Sequence, residues 1–294
     1  MKKVGSKSLS EALDKLSESR EAKRAPKKDT EEASNVAQLD LWPDRVRGVP
    51  NAALRGSLFG VSKNRVTAKT RTLLATLGNM EIRFQGVRFN QRDLDTWEML
   101  LHLARQQPLG NKVAFKANVI LKALGRPISG DQHELLKEEI TRLRSGTVEI
   151  KWIEKEKIFG GGLVSNYYRD GATDEWIVIF DEKMLALYDD GYTHVDWEQR
   201  HSLRHNSLAQ WLHGFYTSHA KPYPYKVETL MALSGTTAKR LADFRKKLKA
   251  ALEEVKQVGA FVAWEIDKDD LVQVRKGFCR VKQGGCQRGI NFRF

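Results

Sequence analysis

The chain has 294 residues, 41% of them apolar and 30% charged. That composition excludes a disordered chain and leaves room for one large domain or two ordinary ones. No run approaches the roughly 18 apolar residues of a membrane span, the start lacks the apolar segment of a secretory signal, and two cysteines, Cys279 and Cys286, cannot build a disulfide framework, so a cytoplasmic protein is expected.

The formal net charge is +13, and it is unevenly placed: residues 1–44 are neutral, 45–90 carry +8, 91–199 carry −5 and 200–294 carry +10. Two basic segments around an acidic middle favour two anion-facing surfaces that track a line of phosphates.

Residues 1–35 are polar and mixed in charge and read as a frayed arm, within a flexible segment 1–50. Inside that segment lies an apolar patch, Gln38-Leu39-Asp40-Leu41-Trp42, closed by Pro43 and Pro50. Folded structure is expected from about residue 55. Apolar and polar residues alternate over 80–90 on both sides of Gln85-Gly86, a β-hairpin pattern. Asp93 or Asp95 then caps a helix reaching about residue 107, with Trp97, Leu100, Leu101 and Ala104 on one face and Pro108-Leu109-Gly110 at its end. A second helix is expected over 113–124. Gly125, Pro127 and Gly130 turn the chain into a third over 131–144, apolar at Leu135, Leu136, Ile140 and Leu143. Strands follow over 147–153, 158–168 (with a Gly160-Gly161-Gly162 loop) and 175–180. Helix, turn, helix and β-hairpin is the outline of a winged helix.

After Gln199 the order recurs. A helix is expected over 202–219, ending before Pro222 and Pro224, then a short helix over 227–233, a long one over 238–257, and strands over 260–266 and 271–276. The halves also match in letters: Leu121-Lys122-Ala123-Leu124-Gly125 with Leu230-Met231-Ala232-Leu233-Ser234-Gly235, and Trp152 with Trp264. A repeat of about 110 residues suits tandem domains. The expected fold is α+β: two tandem winged-helix (helix-turn-helix) domains at 51–199 and 200–278, an N-terminal arm and a tail at 279–294.

The long helix has two faces. Leu241, Phe244, Leu248, Leu252 and Val255 share one side at core spacing. Lys239, Asp243, Lys246 and Ala250 lie opposite, flanked by Arg240 and Lys247. A helix fits the major groove, where Lys and Arg donate to guanine and Asp243 can accept from cytosine. Thr236 and Thr237 stand at the helix start, where one can cap it or bind a phosphate. Arg245 and Lys249 suit phosphates, and Lys268, Arg275 and Lys276 on the second hairpin are placed to grip the backbone. The alternative is an ordinary solvated Lys-rich face. The corresponding first-domain helix carries Asp131, Glu134, Glu138 and Glu139. It is a poor reader of DNA and suits packing against its sister domain, a second protomer or a host protein. The run Arg55, Lys63, Arg65, Lys69 and Arg71 fits phosphate contacts or a solvated surface equally well.

Gln38-Leu39-x-Leu41-Trp42 resembles the peptide by which bacterial proteins bind the replicative sliding clamp, Gln-Leu-x-Leu-Phe, with Trp42 in place of Phe. The resemblance implies that Gln38 hydrogen-bonds in a small pocket and that Leu41 and Trp42 fill an apolar one. Further along are Asn90-Gln91-x-Asp93-Leu94-Asp95-x-Trp97 with Leu100-Leu101-His102-Leu103-Ala104-Arg105, and Phe215-Tyr216-x-Ser218-His219 with Pro222-Tyr223-Pro224 and Val227-Glu228-Thr229-Leu230. With these extended stretches the chain resembles the TrfA family of plasmid replication initiators, of the broad-host-range type, over residues 36–278. The resemblance implies an initiator that binds origin iterons, promotes opening of adjacent AT-rich DNA, and recruits a host initiator and helicase. It also implies a dimer that binds iterons as a monomer, with single-stranded DNA of the opened origin as a further ligand.

No enzyme is expected. There is no Gly-x-x-x-x-Gly-Lys-Ser/Thr phosphate loop. His201 and His205, or His213 and His219, lack the spacing of a nicking site, and Cys279 and Cys286 lack a second ligand pair for zinc. Neither cofactor, metal, catalytic residue nor membrane partner is expected. The alternative function is a winged-helix transcriptional repressor with no replication role.

Overall fold

Two hydrophobic clusters organise this computed structural model, which describes residues 43–105, 111–188, 190–277, 279–282 and 285–288. One gathers buried side chains from Val49 to Val195, the other from Leu203 to Val274. Val61, Ala75 and Leu77 pack against the second cluster, so the early chain serves both.

Regular structure begins before the expected residue 55. Strand β1 (Val46–Pro50) runs antiparallel to β11 (Tyr192–Asp196), with Val46 opposite Asp196. Helix α1 (Asn51–Leu54) follows, and β2 (Phe59–Gly60) pairs in parallel with β5 (Phe89–Asn90). Strands β3 (Thr67–Leu74), β4 (Met80–Val87), β7 (Thr147–Trp152) and β8 (Lys157–Gly161) form a sheet in the order β3-β4-β7-β8. The hairpin expected at Gln85-Gly86 is absent, because β4 runs straight through both residues and pairs instead with β3. Gly86 has φ +124, and a Cβ there would lie 3.2 Å from Gly146 Cα. This glycine marks a close backbone approach inside a strand, not a turn.

Asn90, rather than Asp93 or Asp95, caps α2 (Gln91–Ala104). Its side-chain oxygen accepts from the Arg92 and Asp93 N–H groups, while the Asp93 carboxylate accepts from Asn90 N–H, a reciprocal capping box. Trp97, Leu100, Leu101 and Ala104 are buried, as their spacing predicts. The helix expected over 113–124 is two elements, strand β6 (Lys112–Phe115) and helix α3 (Ala117–Ala123). Val113 and Phe115 alternate into the core with period two, which settles that stretch as strand. Helix α4 (Gly130–Ser145) buries Leu136, Ile140 and Leu143. The strand expected over 158–168 is also divided. Its first part is β8, and its end belongs to β9 (Asn166–Asp170), which joins β10 (Glu175–Ile179) and β6 in the order β6-β10-β9.

The later chain repeats this plan. The helix expected over 202–219 is α6 (Ser207–Thr217), which starts later because Asn206 caps it by accepting from Leu208 and Ala209, and a short α5 (Trp197–Ser202) precedes it. Strand β12 (Tyr225–Lys226), helices α7 (Val227–Leu233) and α8 (Leu241–Gln257), and strands β13 (Ala263–Ile266) and β14 (Leu271–Arg275) follow. Their sheet order, β12-β14-β13, is the order of β6-β10-β9. Helices α3 and α7 both end in a glycine at φ +61, Gly125 and Gly235, the left-handed position that terminates a helix. Both hairpin tips are closed by an aspartate. Asp170 accepts from the N–H groups of Ala172 and Thr173, and Asp267 from those of Asp269 and Leu271. The matched letters of Trp152 and Trp264 are not topological equivalents, since Trp152 lies on β7 of the four-stranded sheet and Trp264 on β13. In the tail, β15 (Cys279–Lys282) pairs antiparallel with β16 (Gly285–Arg288). No helix among the described residues is long and apolar enough to cross a membrane.

Candidate nucleic-acid interface

Helix α8 buries Phe244, Leu248, Ala251, Leu252 and Val255, each large side chain contributing about 1.5–3 kcal/mol of apolar burial. Asp243, Lys246, Lys247, Lys249 and Ala250 lie outside that stripe, towards its other side. The helix starts at Leu241, later than expected, with Arg240 as N-cap and no side-chain cap bond. Thr236 and Thr237 therefore do not cap it. Thr236 Oγ1 accepts from Ala238 N–H, and Thr237 N–H donates to Ser62 Oγ. Lys239 and Arg240 lie in the exposed turn that leads into the helix. Among the described residues, none of Lys239, Arg240, Lys246, Lys247 and Lys249 forms an ion pair within the molecule. Five cations outside any ion pair, against the single carboxylate of Asp243 in the first turn, give this uncapped helix N-terminus a net positive field that suits phosphates.

The second hairpin contributes fewer cations than its sequence promises. Lys268 stands at the tip, and Arg275 is exposed at the far end of β14. Lys276 turns inward: its Nζ donates to the Thr217 and His219 carbonyls at 3.1 and 2.6 Å and closes the C-terminal end of α6. Burial pushes its ammonium pKa down. Lys276 is thus tied to the fold by two backbone carbonyls. Arg245, also expected at phosphates, pairs with Asp270 through Nε at 3.0 Å and Nη2 at 2.6 Å.

The early basic run is divided in the same way. Arg65 grips the fully buried Asp93 at 2.7 and 3.3 Å, and Arg142 reaches the same carboxylate at 3.1 Å, so Arg65 is not a free phosphate contact. Arg55 donates to Ser218 Oγ and to the Ser218 carbonyl. Arg71 pairs with Glu149 at 2.9 Å while 62% exposed, a contact worth about 0–1 kcal/mol that a phosphate can displace. Lys63 and Lys69 are exposed. A groove of about 540 Å³ runs from Ser62, Asn64 and Lys69 to the turn at Gly235, Thr236 and Thr237, and among the described residues no carboxylate lines it. Its walls are joined: Val61 N–H donates to Ser234 O at 3.0 Å, and Ser62 Oγ lies 3.2 Å from Thr237 Oγ1. A Cβ on Gly235 would meet Ser57 Cβ at 3.0 Å. Sequence reasoning missed Ser62 and Asn64, because Ser62 meets its partner 175 residues away.

Helix α4 keeps one of its acids inside. Glu139 is buried between Arg92 at 2.5 Å and Arg126 at 2.7 Å, whereas Asp131, Glu134 and Glu138 stay exposed. Fully buried Arg200 joins the two clusters, with Nε 2.7 Å from Asp95 Oδ1, while Gln210 donates to the other Asp95 oxygen at 3.0 Å. The histidines have ordinary structural partners: His213 is buried beside Gln199, and His219 contacts the Phe215 carbonyl. No group of three or more His, Cys, Asp or Glu that could hold a metal ion occurs among the described residues. The clamp-like residues Gln38, Leu39, Leu41 and Trp42 lie outside the described residues, as do the side chains of Cys279 and Cys286.

With that geometry in view, a family model described as TrfA protein matches residues 2–276. The chain belongs to the TrfA family. Plasmid replication initiator protein TrfA of Escherichia coli is 26% identical over 271 residues, which cover 87% of this chain and 70% of that protein. Among solved structures, selenomethionine-labelled domains 2 and 3 of RctB superpose with a TM-score of 0.51 at 12% identity, covering 81% of this chain and 96% of that one. A second structure of RctB domains 2–3 covers 73% and 92% at 12% identity, with a TM-score of 0.48. At such identity the RctB likeness concerns the fold alone.

Proposed function

We propose that this TrfA-family chain is a plasmid replication initiator that acts in the bacterial cytoplasm by binding repeated origin sequences. The observation that carries the reading is the set of unpaired cations on and before α8, on an element order that fits a helix-turn-helix with a β wing. In this reading Lys239, Arg240, Asp243 and Lys246 face base edges. Lys247, Lys249, Lys268, Arg275, Lys69 and Arg71 face phosphates, and Thr236 and Thr237 line the approach. Bound protomers promote opening of the adjacent AT-rich DNA and recruit host initiator, helicase and, through residues 38–42, the sliding clamp. The protein dimerises with itself, binds each iteron as a monomer, and contacts single strands of the opened origin. It performs no bond-making chemistry, so strand opening relies on binding energy and host enzymes.

Footprinting of the DNA flanking the gene tests the reading. Direct repeats spaced by one or two helical turns are expected, which place protomers on one face of the duplex. A companion plasmid carrying that origin should replicate only when the protein is supplied in trans. Specific footprints without replication would assign the chain to repression instead.

A further inference from the structure

The tip of the β13–β14 hairpin is built on Asp270, which is engaged from two sides. Its backbone has φ +62, a left-handed conformation that Asp tolerates better than most residues. Its carbonyl accepts the N–H of Val227, the first residue of α7, at 3.0 Å. Its carboxylate receives Arg245 of α8 at 3.0 and 2.6 Å. One residue thus ties the hairpin tip to both helices of the helix-turn-helix. The two side chains remain 37% and 32% exposed, so solvent screens the pair and its two-point geometry fixes direction more than it adds stability.

The first half supplies an internal comparison. Asp174, at φ +59, stands at the tip of the β9–β10 hairpin, but its carboxylate takes Arg169 of the same hairpin. Among the described residues, no ion pair ties that tip to α4. Helix α4 is the acidic helix. Among the described residues, the tie from tip to helix is made in the half whose helix carries the free cations Lys246, Lys247 and Lys249.

We propose that Arg245 and Asp270 are a positioning pair that fixes the β13–β14 hairpin against α8, so that Lys268 and the α8 cations meet one duplex in a set register. The proposal rests on the DNA-binding reading above and gives Arg245 a role in recognition without contact to DNA. It also reverses the sign that plain electrostatics gives for one substitution. Removing the Asp270 carboxylate deletes a negative charge beside DNA and frees Arg245 for a phosphate, which should tighten binding. A positioning role requires the specific complex to weaken.

The test uses the full chain with Asp270→Asn, Arg245→Met, the double variant and Arg245→Lys. Each is titrated, over a series of salt concentrations, with a duplex carrying the footprinted repeat and with a scrambled duplex. Amide exchange at Val227 and at residues 269–271 is followed without DNA. We expect Asp270→Asn and Arg245→Met each to lower the ratio of specific to non-specific affinity about tenfold, the double variant to add nothing, and Arg245→Lys to recover part. The same amides should exchange faster in both single variants. Equal or tighter specific binding by Asp270→Asn overturns the proposal, as does unchanged exchange at Val227 in Arg245→Met. A wild-type chain that does not distinguish repeat from scrambled DNA defeats the DNA-binding reading, and the exchange measurement then decides on the pair by itself.

Discussion

Glu98 is buried with Arg200 at 3.4 Å, yet neither of its carboxylate oxygens accepts a hydrogen bond among the described residues. Arg200 makes its short contact with Asp95 instead, at 2.7 Å. Burial therefore raises the Glu98 carboxyl to about 7, against the pull of Arg200. A carboxyl that holds its proton more tightly when folded contributes stability that is complete below its ordinary value of 4.5 and is lost as pH rises through 7. His213 works in the opposite sense. Burial, with Arg200 and Lys276 nearby, depresses it to about 3, so its contribution is complete above its ordinary 6.5 and is lost as pH falls toward 3. Glu98→Gln removes only the first effect. In urea unfolding, the variant should gain on the wild type by roughly 1–3 kcal/mol between pH 5 and pH 8. A stability difference that is the same at both pH values would show that Glu98 does not titrate in this range. Nothing in the local sequence marks this group. Glu98 lies one residue past the apolar Trp97; of the charged groups that act on it, Asp95 is three residues away and raises it further, while Arg47 and Arg200 come from far along the chain.

Elements with their own periodicity are legible in the chain, and elements that depend on distant partners are not. Helix α7 occupies 227–233 as its pattern predicts, and α8 buries the predicted stripe from Phe244 to Val255 with Leu241 half-buried at its start, because both carry their signal within a few turns. Strand β1 and the pairing of β2 with β5 have partners far along the chain. At Gln85-Gly86 the letters suit a turn and a close backbone approach equally, and only the position of Gly146 decides between them. In the site, periodicity identifies which face of α8 is cationic. It does not distinguish Lys246, which is free, from Lys276 and Arg245, which are held internally. That distinction makes a prediction for the element. Lys239→Ala and Lys246→Ala should each weaken binding to the origin repeat by about 1–3 kcal/mol and relax specificity, with thermal stability unchanged. Lys276→Ala should lower thermal stability by leaving the α6 carbonyls without their donor, and leave the salt dependence of DNA binding as it was. Interchanged outcomes, with Lys276 altering the salt slope and Lys246 altering stability, would invert the assignment.

Across the whole molecule the net charge of +13 overstates the cationic surface. Arg47 stacks on Trp197, Arg88 lies over Phe84, Arg65 is held by the fully buried Asp93, and the fully buried Arg200 is held by Asp95. Exposed cations outside any ion pair among the described residues include those of α8 and its leading turn, Lys268 at the hairpin tip, and Lys63 and Lys69 near Ser62, with others such as Lys116, Lys122, Lys151 and Lys221 elsewhere. If the six cations assigned to phosphates, Lys247, Lys249, Lys268, Arg275, Lys69 and Arg71, each displace a counterion, the logarithm of affinity should fall against the logarithm of salt with a slope of about −5 to −6. Residues 38–42 carry no net positive charge and follow a polar, mixed-charge stretch in the sequence, so their work should be separable from that surface. A short apolar anchor on a polar tether suits a groove on a partner, where a few buried side chains carry most of the affinity. Leu41→Ala with Trp42→Ala should therefore abolish capture of the sliding clamp in a pull-down, while repeat binding keeps the wild-type affinity and the same salt slope. Clamp retained equally by the wild type and the variant would reject the motif. A parallel loss of repeat binding would instead place these residues against the folded body.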